Sequence, residues 1–249
     1  MSGRLFDFIE GDDPQRLAID LNFAEKVQRA TDLARMAFDE YGHDLVVANS
    51  LGKDSMVVWH LAQAAVRGLR GFIVTTQFKP AETVAFMGQV VGLWPSLLGV
   101  YRAEERVPEG LPGEDPQGCC RLLKVLPMRR ALQELGARCW MTGLRCTEGH
   151  TRSEFREVER WDEGLVKLNP ILTFTEAEVW QYAALHGVPM NPLYAEGYRS
   201  LGCSPCTLVT ASGQSERSGR WRGTVKAGGE CGIHSGPILG ECMGCRSVM

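Results

Sequence analysis

The sequence predicts an α/β protein with an open, mostly parallel sheet and helices on both faces, followed by an irregular cysteine-rich C-terminal segment. Two consecutive strand–helix units between residues 44 and 93 are typical of parallel strands joined by covering helices. Two later apolar runs, at 138–143 and 168–172, predict further inner strands. From Pro189 onward the chain is rich in Gly, Pro, Ser and Cys. A length of 249 residues fits one main domain with appendages.

The elements of the first half follow from apolar spacing. Residues 15–41 carry apolar side chains at helical spacing and predict one or two helices that end at Gly42. A short apolar strand at 44–48 enters a polar turn, and a helix follows over 56–65. A strand at 72–76 and a helix at 81–93 repeat the unit.

The second half begins with a stretch at 101–118 whose Glu, Pro and Gly content predicts a loop. A helix is predicted at 121–135, and the strands at 138–143 and 168–172 come next. Thr175, with Glu178 three residues later, predicts a capping box at the start of a last helix. We expect three segments: helical 1–42, an α/β domain at 43–200 that binds nucleotide, and a C-terminal segment at 201–249 with cluster ligands and the catalytic residue.

Composition excludes several classes of function. The chain is 44% hydrophobic and 23% charged, with a net charge of −3, which is ordinary for a soluble globular protein. The absence of a basic excess argues against nucleic acid as the principal partner. No secretory signal and no run of about 20 apolar residues is present, so we expect a cytoplasmic protein without membrane association. The oligomeric state stays open, a homo-oligomer included.

The first candidate site is the turn from Ser50 to Ser55, between the first strand and its helix. Backbone N–H groups and the helix dipole would face an anion there. Gly52 allows close approach, Lys53 supplies positive charge, and the two serines supply hydroxyl donors. The spacing is not that of the eight-residue P-loop, and a plain capped turn is the alternative. Its place after the first parallel strand favours a phosphate site.

Nine cysteines in a protein expected in reducing cytosol indicate metal or redox chemistry rather than disulfides. Cys119 and Cys120 are adjacent, and Cys203 and Cys206 form a second pair separated by two residues. Four thiolates suit zinc or a [4Fe–4S] cluster. Adjacent cysteines fit awkwardly around one small tetrahedral ion, which favours the cluster, and buried unligated thiols are a third interpretation.

These motifs resemble those of a known family. The SLGKDS loop at 50–55 resembles the loop of the adenine-nucleotide α-hydrolase (PP-loop) superfamily. The runs 118–132 (beginning GCCR), 188–207 (containing CSPC), 218–223 (SGRWRG) and 230–234 (ECGIH) resemble, in order, signatures of assimilatory adenylyl sulfate reductases, in the phosphoadenylyl sulfate reductase family. The likeness covers most of residues 44–235.

The resemblance implies thioredoxin-dependent reduction of adenylyl sulfate to sulfite and AMP, in sulfate assimilation and cysteine biosynthesis. Cys119, Cys120, Cys203 and Cys206 would hold a [4Fe–4S] cluster, and Cys231 would attack the sulfur to form an S-sulfonate. Thioredoxin or glutaredoxin would then release sulfite by thiol exchange. Basic residues near Cys231 would favour its thiolate, although Glu230 opposes this. The alternative is that Cys231 is an exposed tail thiol.

The resemblance also implies a set of residues around the nucleotide and its phosphosulfate, where a dianionic ester demands positive side chains. This set consists of Ser50, Gly52, Lys53, Asp54, Ser55, Lys124, Arg145, Arg152, Arg217, Arg220 and His234. Each basic residue taken singly could instead be a solvated surface charge.

The sequence departs from the family at three places. It keeps Lys53 and Asp54 in the manner of members that cleave ATP, it has Thr75-Thr-Gln where Asp-Thr-Gly is common, and it adds Cys242 and Cys245 near the end. An ATP-using sulfurtransferase or adenylating enzyme with an iron–sulfur cluster is therefore one alternative. A non-enzymatic sensor that binds nucleotide and metal is another.

Overall fold

The computed structural model describes residues 12–95, 97–149, 152–161, 164–211, 213–222, 224–226 and 232–234. Its centre is a six-stranded sheet in the order β3-β2-β1-β4-β6-β5. The strands are β1 (Leu45–Ala48), β2 (Arg70–Val74), β3 (Leu98–Tyr101), β4 (Cys139–Met141), β5 (Val158–Arg160) and β6 (Val166–Leu168). All neighbouring strands are parallel except β5, which runs antiparallel to β6. The predicted open, mostly parallel sheet is confirmed.

Helices flank this sheet along the chain. They are α1 (Pro14–Asp20), α2 (Phe23–Tyr41), α3 (Lys53–Ala65), α4 (Ala81–Leu93), α5 (Leu111–Glu114), α6 (Pro116–Cys120), α7 (Leu126–Glu134) and α8 (Glu176–His186). A π-helical turn, Arg121–Val125, joins α6 to α7. Short 3₁₀ turns are formed by Gly42–Asp44, Pro192–Glu196 and Ser204–Cys206. No helix among the described residues combines the length and apolar composition needed to cross a bilayer.

The sheet is covered by helices on both faces, as predicted. Successive side chains of a strand point to opposite faces. Leu45 and Val47 of β1 belong to a core cluster that also contains residues of α2, α3, α4 and α8. Val46, between them, belongs to a second cluster with Phe72, Trp140 and residues of α7. The two clusters leave one edge of the sheet for polar loops, the edge where the parallel strands end.

The helix starts follow local hydrogen bonding. Asn22 and Glu25 form a capping box at α2, and Thr175 and Glu178 form the predicted one at α8. Glu178 also accepts hydrogen bonds from the buried Lys26 Nζ, with both carboxylate oxygens at 2.9 Å. The capping residue of α8 therefore also binds α2, so α2 is held against the face formed by α3 and α8.

A proline accounts for the changed bounds of two predicted elements. The strand expected at 168–172 ends at Leu168, because Pro170 lacks the N–H that would extend the ladder. The helix expected at 121–135 is preceded directly by α6 and begins with the π turn. Pro127 cannot donate to a carbonyl four residues earlier, and Leu126 N–H instead bonds the Arg121 carbonyl five residues back.

Two edge regions of the sheet were not predicted from the sequence. β3 has only four residues and contains Gly99, and β5 has three residues of which the middle and last are charged. Neither segment shows the alternation or the apolar run by which strands are recognised. The predicted loop at 101–118 contains the short helix α5 and the first three residues of α6, and each of these helices has a proline in its first turn.

Candidate active site

A cavity opens at the carboxyl ends of β1 and β4, on either side of the point where the strand order reverses. Ligands of open α/β sheets bind at such a switch point. Ala48 and Asn49 line the cavity from the end of β1, and Thr142 and Gly143 line it from the end of β4. The predicted turn residues Ser50, Gly52, Asp54 and Ser55 also line it, together with the apolar side chains of Phe72, Val74, Met128 and Trp140.

The turn after β1 is held in shape by its own side chains. Asn49 Oδ1 accepts hydrogen bonds from Leu51 N at 2.8 Å and from Ser55 Oγ at 3.2 Å. Ser50 N donates to Ser55 Oγ at 3.1 Å. Leu51 has a φ of 68°, in the left-handed region that side chains rarely adopt. This network fixes an otherwise strained backbone where α3 begins.

Tyr194 closes the start of α3 from the opposite side. Its hydroxyl accepts a hydrogen bond from Lys53 N at 2.7 Å, so one of the first free N–H groups of the helix is satisfied. A Cβ on Gly52 would lie 3.3 Å from the same hydroxyl. Burial raises the pKa of Tyr194, so the phenol stays protonated. Tyr194 thereby connects the turn after β1 to the chain segment that leads to the second cysteine pair.

Gly143 allows the loop after β4 to approach α3 closely. A Cβ at this position would lie 2.7 Å from Ser55 N and 2.8 Å from the carbonyl carbon of Asp54, both backbone atoms of the first turn of α3. Contacts this short cannot be relieved by a side-chain rotation. The glycine therefore fixes the width of the cavity at the switch point.

Gly143→Ala is accordingly expected to lower the free energy of unfolding by about 1–3 kcal/mol, the usual cost of overpacking, and to weaken AMP binding. Thermal unfolding and titration with AMP measure the two effects. Gly88→Ala is the matched control, because a Cβ on this glycine within α4 would meet nothing within 4 Å. That change should leave AMP binding unaltered and should stabilise the helix slightly. Equal AMP affinity in both variants would show that the close approach is unimportant.

Positive charge dominates the cavity. The basic side chains that line it are Lys79, Lys124, Arg152, Arg217 and Arg220, and the acidic ones are Asp54 and Glu148. Glu148 is paired with Arg152, and its Oε1 lies 3.4 Å from Arg217 Nη1. The excess of cations therefore favours an anionic ligand. Lys79 was not predicted from the sequence, since it stands in no recognisable motif and enters the cavity through the turn after β2.

Buried polar atoms without partners point the same way. Arg220 Nε and His234 Nδ1 have no hydrogen-bond partner among the described residues. His234 stacks on Trp140 with an interplanar angle of 8° and a centroid distance of 6.4 Å. Burial, and then the charges of Lys167, Arg152 and Arg217, hold the pKa of His234 well below its usual range. The imidazole is therefore neutral at pH 7 and can offer an N–H to an anion.

Two predicted basic residues do not face the cavity. Lys53 and Arg145 are 1% and 0% exposed, and their charged groups lie against Glu216 behind the turn after β1. Cys231, predicted as the nucleophile, lies outside the described residues, as do Glu230, Cys242 and Cys245.

The four predicted ligand cysteines come together. Cys119, Cys120, Cys203 and Cys206 are buried in one cluster with Phe78, Leu123 and Trp221. Two backbone hydrogen bonds hold the second pair in place, Ser204 N to Phe78 O at 2.8 Å and Trp221 N to Cys206 O at 2.9 Å. The adjacent pair is carried by the last turn of α6, so residues 84 positions apart in sequence share one apolar pocket.

The electrostatics of the sulfurs reflect this proximity. Burial, followed by the charges of Cys203 and Cys206, raises the pKa of Cys119 to about 11. Burial also acts to raise the pKa of Cys203. Lys124, Lys79 and a 3.2 Å contact between its Sγ and Thr76 Oγ1 outweigh that effect and bring it below the ordinary value.

Six buried cysteines of the described residues are free thiols. Among the same residues, no three His, Cys, Asp or Glu side chains form a site that could hold a metal ion. The chemistry of the donors nevertheless fits a larger metal group, because four soft sulfur ligands are buried in one pocket beside Lys124. Cys139 and Cys146 stand apart from this pocket, in the sheet core and in a separate small cluster.

Trp221 lies between the cluster of four cysteines and the cavity. It belongs to the cysteine cluster, lines the cavity and is 1% exposed. Cationic groups of Arg217, Arg220 and Lys226 lie 5.8, 4.6 and 5.2 Å from its ring centroids. Such contacts are attractive. Trp221 therefore packs residues 213–222, the arginine segment that carries Arg217 and Arg220, against the cluster of four cysteines.

A ligand that suits this cavity carries negative charge and a flat apolar group. The open α/β sheet with a cavity at its switch point defines the class of proteins to which the adenine-nucleotide α-hydrolases belong. Within this class the sequence matches one family model, the phosphoadenosine phosphosulfate reductase domain, over residues 44–209. The chain belongs to this family.

Named relatives share the match over most of their length. The chain is 36% identical to a phosphoadenosine 5′-phosphosulfate reductase of Gloeobacter violaceus over 207 residues, 78% of this chain and 84% of that protein. It is 35% identical to an adenosine 5′-phosphosulfate reductase of Mycolicibacterium smegmatis over 215 residues, 82% of this chain and 88% of the relative. The same activity is named for a Streptomyces coelicolor relative, 37% identical over 82% of this chain and 88% of its own length.

Solved structures show the same fold. A phosphoadenylyl-sulfate reductase from Candida auris superposes with a TM-score of 0.64 at 21% identity and covers 76% of this chain and 99% of its own. An FMN adenylyltransferase from Candida glabrata gives a TM-score of 0.56 at 16% identity over 81% of this chain and 73% of its own. At these identities the similarity establishes the fold alone.

Proposed function

We propose that the chain reduces adenylyl sulfate to sulfite and AMP through a Cys231 S-sulfonate, with a thioredoxin-type dithiol as electron donor. The observation that carries this proposal is the contact between two features: a cavity lined by five basic side chains and a buried set of four cysteines, with Trp221 shared by both. The names of the relatives, adenosine 5′-phosphosulfate and phosphoadenosine 5′-phosphosulfate reductases, support the same reaction.

The substrate fits the two halves of the cavity. Its apolar wall, which includes Phe72, Met128 and Trp140, suits the purine ring. The phosphosulfate would lie against Lys124, Arg217 and Arg220, with Ser50, Ser55 and His234 as hydrogen-bond donors. Cations and donors that are in place before the substrate binds would neutralise charge on the departing AMP without reorganisation.

The chemistry proceeds in three steps. The thiolate of Cys231 attacks the sulfate sulfur, an S–S bond forms, and the bond from that sulfur to the AMP phosphate oxygen breaks. A thiolate of the donor then attacks the sulfur atom of Cys231, which releases sulfite and leaves a mixed disulfide. The second donor thiol resolves that disulfide and returns Cys231 to its thiol form. The two electrons come from the dithiol, which ends as a disulfide.

A [4Fe–4S] cluster is the cofactor we propose for Cys119, Cys120, Cys203 and Cys206. The four sulfurs share one buried pocket, and the adjacent pair Cys119 and Cys120 fits awkwardly around one small tetrahedral ion, which supports a cluster over zinc. When bound, the cluster would supply a polarising charge beside the basic side chains that face the phosphosulfate. Lys124 is the side chain that belongs to both environments, since it lines the cavity and acts on Cys119 and Cys203.

The ATP-using alternative receives less support. It required Lys53 and Asp54 to act on a pyrophosphate, whereas Lys53 Nζ lies 2.9 Å from Glu216 Oε2 and does not line the cavity. Asp54 is held by Arg145, with 2.5 Å between Oδ1 and Nε. The charges that resemble ATP-cleaving members are therefore engaged with protein groups.

Assay of the anaerobically purified protein tests the proposal. Adenylyl sulfate with thioredoxin, thioredoxin reductase and NADPH should yield sulfite and AMP in equal amounts, and omission of thioredoxin should stop turnover. Phosphoadenylyl sulfate is assayed in parallel, because relatives of both names match the chain. Release of pyrophosphate from ATP with no sulfite from either sulfonucleotide would instead identify the adenylating alternative.

A further inference from the structure

The ammonium group of Lys53 is enclosed by protein groups rather than by the cavity. Lys53 Nζ donates to Glu216 Oε2 at 2.9 Å and to the Arg199 carbonyl at 2.8 Å. Asp54 Oδ2 lies 3.4 Å away and Glu176 Oε1 3.8 Å away. Burial acts to lower the pKa of Lys53, but the charges of Asp54 and Glu216 outweigh burial and raise it. The lysine is therefore charged, and its ammonium group is held by the Glu216 carboxylate and the Arg199 carbonyl.

Arg145 reaches the same carboxylate from the loop after β4. Its Nε donates to Asp54 Oδ1 at 2.5 Å, and its Nη2 donates to Glu216 Oε2 at 2.6 Å. One oxygen of Glu216 thus accepts from both Lys53 and Arg145. Two cations and two carboxylates balance in a buried network, the arrangement in which a buried charge is tolerated.

Glu216 is the point where this network meets the arginine segment. It immediately precedes Arg217 and lies four residues before Arg220, and both arginines line the cavity while Glu216 does not. A second tie acts nearby: Arg199 pairs with Glu176 and donates through Nη1 to the Gln214 carbonyl at 2.7 Å. The arginine segment is therefore fastened to the first turn of α3 and to the start of α8.

We propose that Lys53 is a positioning residue: with Arg145 it fixes the carboxylate of Glu216 and so sets Arg217 and Arg220 at the cavity, and it does not bind the phosphosulfate itself. This inference rests on the proposed function and deepens it. It also assigns a purpose to the lysine of the SLGKDS turn that does not involve cleavage of ATP.

A double-mutant cycle separates the two roles of Lys53. Lys53→Met leaves the network with an excess of negative charge and Glu216→Gln with an excess of positive charge, whereas the double variant retains only the balanced pair of Asp54 and Arg145. We expect each single change to weaken binding of adenylyl sulfate about tenfold or more. The double change should weaken it no more than the worse single one, because both act through one contact.

Two readouts are needed. Binding is measured by titration of adenylyl sulfate into the Cys231→Ser form, so it does not depend on turnover. Amide hydrogen exchange of residues 213–222 in the ligand-free protein reports the position of the segment directly. Lys53→Arg, which keeps the charge, should retain more protection than Lys53→Met. If the wild-type protein fails to bind adenylyl sulfate, the proposed function fails, while the exchange data still test the network.

The control is an exposed ion pair changed in the same way. Arg16 and Asp20 lie 3.1 Å apart on α1 with side chains 80% and 53% exposed, so Arg16→Met and Asp20→Asn should change neither readout. Two results would assign Lys53 to the phosphosulfate and overturn the inference. One is a double variant whose loss of affinity equals the product of the two single losses; the other is weaker binding with unchanged hydrogen exchange at 213–222. Glu216→Asp covers the case of a single variant that does not fold: unchanged exchange in that variant would equally overturn it.

Discussion

Replacement of Cys231 by serine is expected to abolish sulfite formation while the iron content and visible absorbance of the protein stay unchanged. A serine hydroxyl is not ionised near neutral pH and cannot form the S-sulfonate, so the rate should fall by at least about 10⁴-fold, as when a catalytic nucleophile is removed. Sulfite release in the presence of thioredoxin measures the rate. Mass spectrometry of the wild-type protein with adenylyl sulfate and no donor should show an added SO₃ group on the peptide that contains Cys231.

Cys146→Ser is the matched control for this prediction. Cys146 is buried, lies in a small cluster with Leu144 and Leu172, and its sulfur lies 3.7 Å from the Pro14 carbonyl. A serine there can keep a hydrogen bond to that carbonyl, so turnover should be retained. Loss of colour in Cys231→Ser would contradict the assignment of this residue as nucleophile and would make it a cluster ligand. An SO₃ group found on Cys242 or Cys245 would make that cysteine the nucleophile in place of Cys231.

The sequence was sufficient to predict the parts of the site that depend on local order. A strand, a turn with Gly52, and a helix follow one another within residues 45–65, and local backbone geometry places their polar groups at the sheet edge. The two cysteine pairs could likewise be selected by spacing and by resemblance. Their convergence required the fold, because it depends on α6 and the Ser204–Cys206 turn meeting beyond the end of β2.

What the sequence did not predict depends on contacts between distant residues. Lys53 was predicted at the phosphate because a lysine in such a turn commonly is, yet its partner Glu216 lies 163 positions later. No local pattern marks Glu216, and its carboxylate is buried only because Lys53 and Arg145 neutralise it. Lys79 was missed for the same reason, since its neighbours in sequence carry no motif and its place is set by the sheet.

The proximity of the two centres is the physical core of the proposed function. Trp221 belongs to both, and the cations that face its ring are those of the segment fastened through Glu216. On the proposed function, a change at the sulfurs would therefore alter the electrostatics at the phosphosulfate, and a change in the arginine segment would alter the packing of the sulfurs. On the proposed function, this shared boundary would make the cysteine set a part of the active site and not a remote structural staple.

Replacement of Cys203 by serine is the second change with a large expected effect: loss of iron, sulfide and brown colour, and loss of sulfite formation. Cys203 is 4% exposed, with its sulfur 3.2 Å from Thr76 Oγ1, so a lost ligand cannot be replaced by solvent without opening the apolar cluster. The rate should fall by more than the about 100-fold that removal of a supporting residue costs.

Metal analysis decides between the assignments for these thiols. The anaerobic wild-type protein should contain about four iron and four sulfide per chain, and Cys146→Ser, whose sulfur lies outside the cluster, should contain the same. Colourless wild-type protein with one zinc per chain would replace the cluster with a zinc site, and metal-free protein that still forms sulfite would make the four cysteines ordinary core residues. Cys203→Ser separates these cases further, because the zinc site predicts loss of zinc and the core interpretation predicts no loss of metal at all.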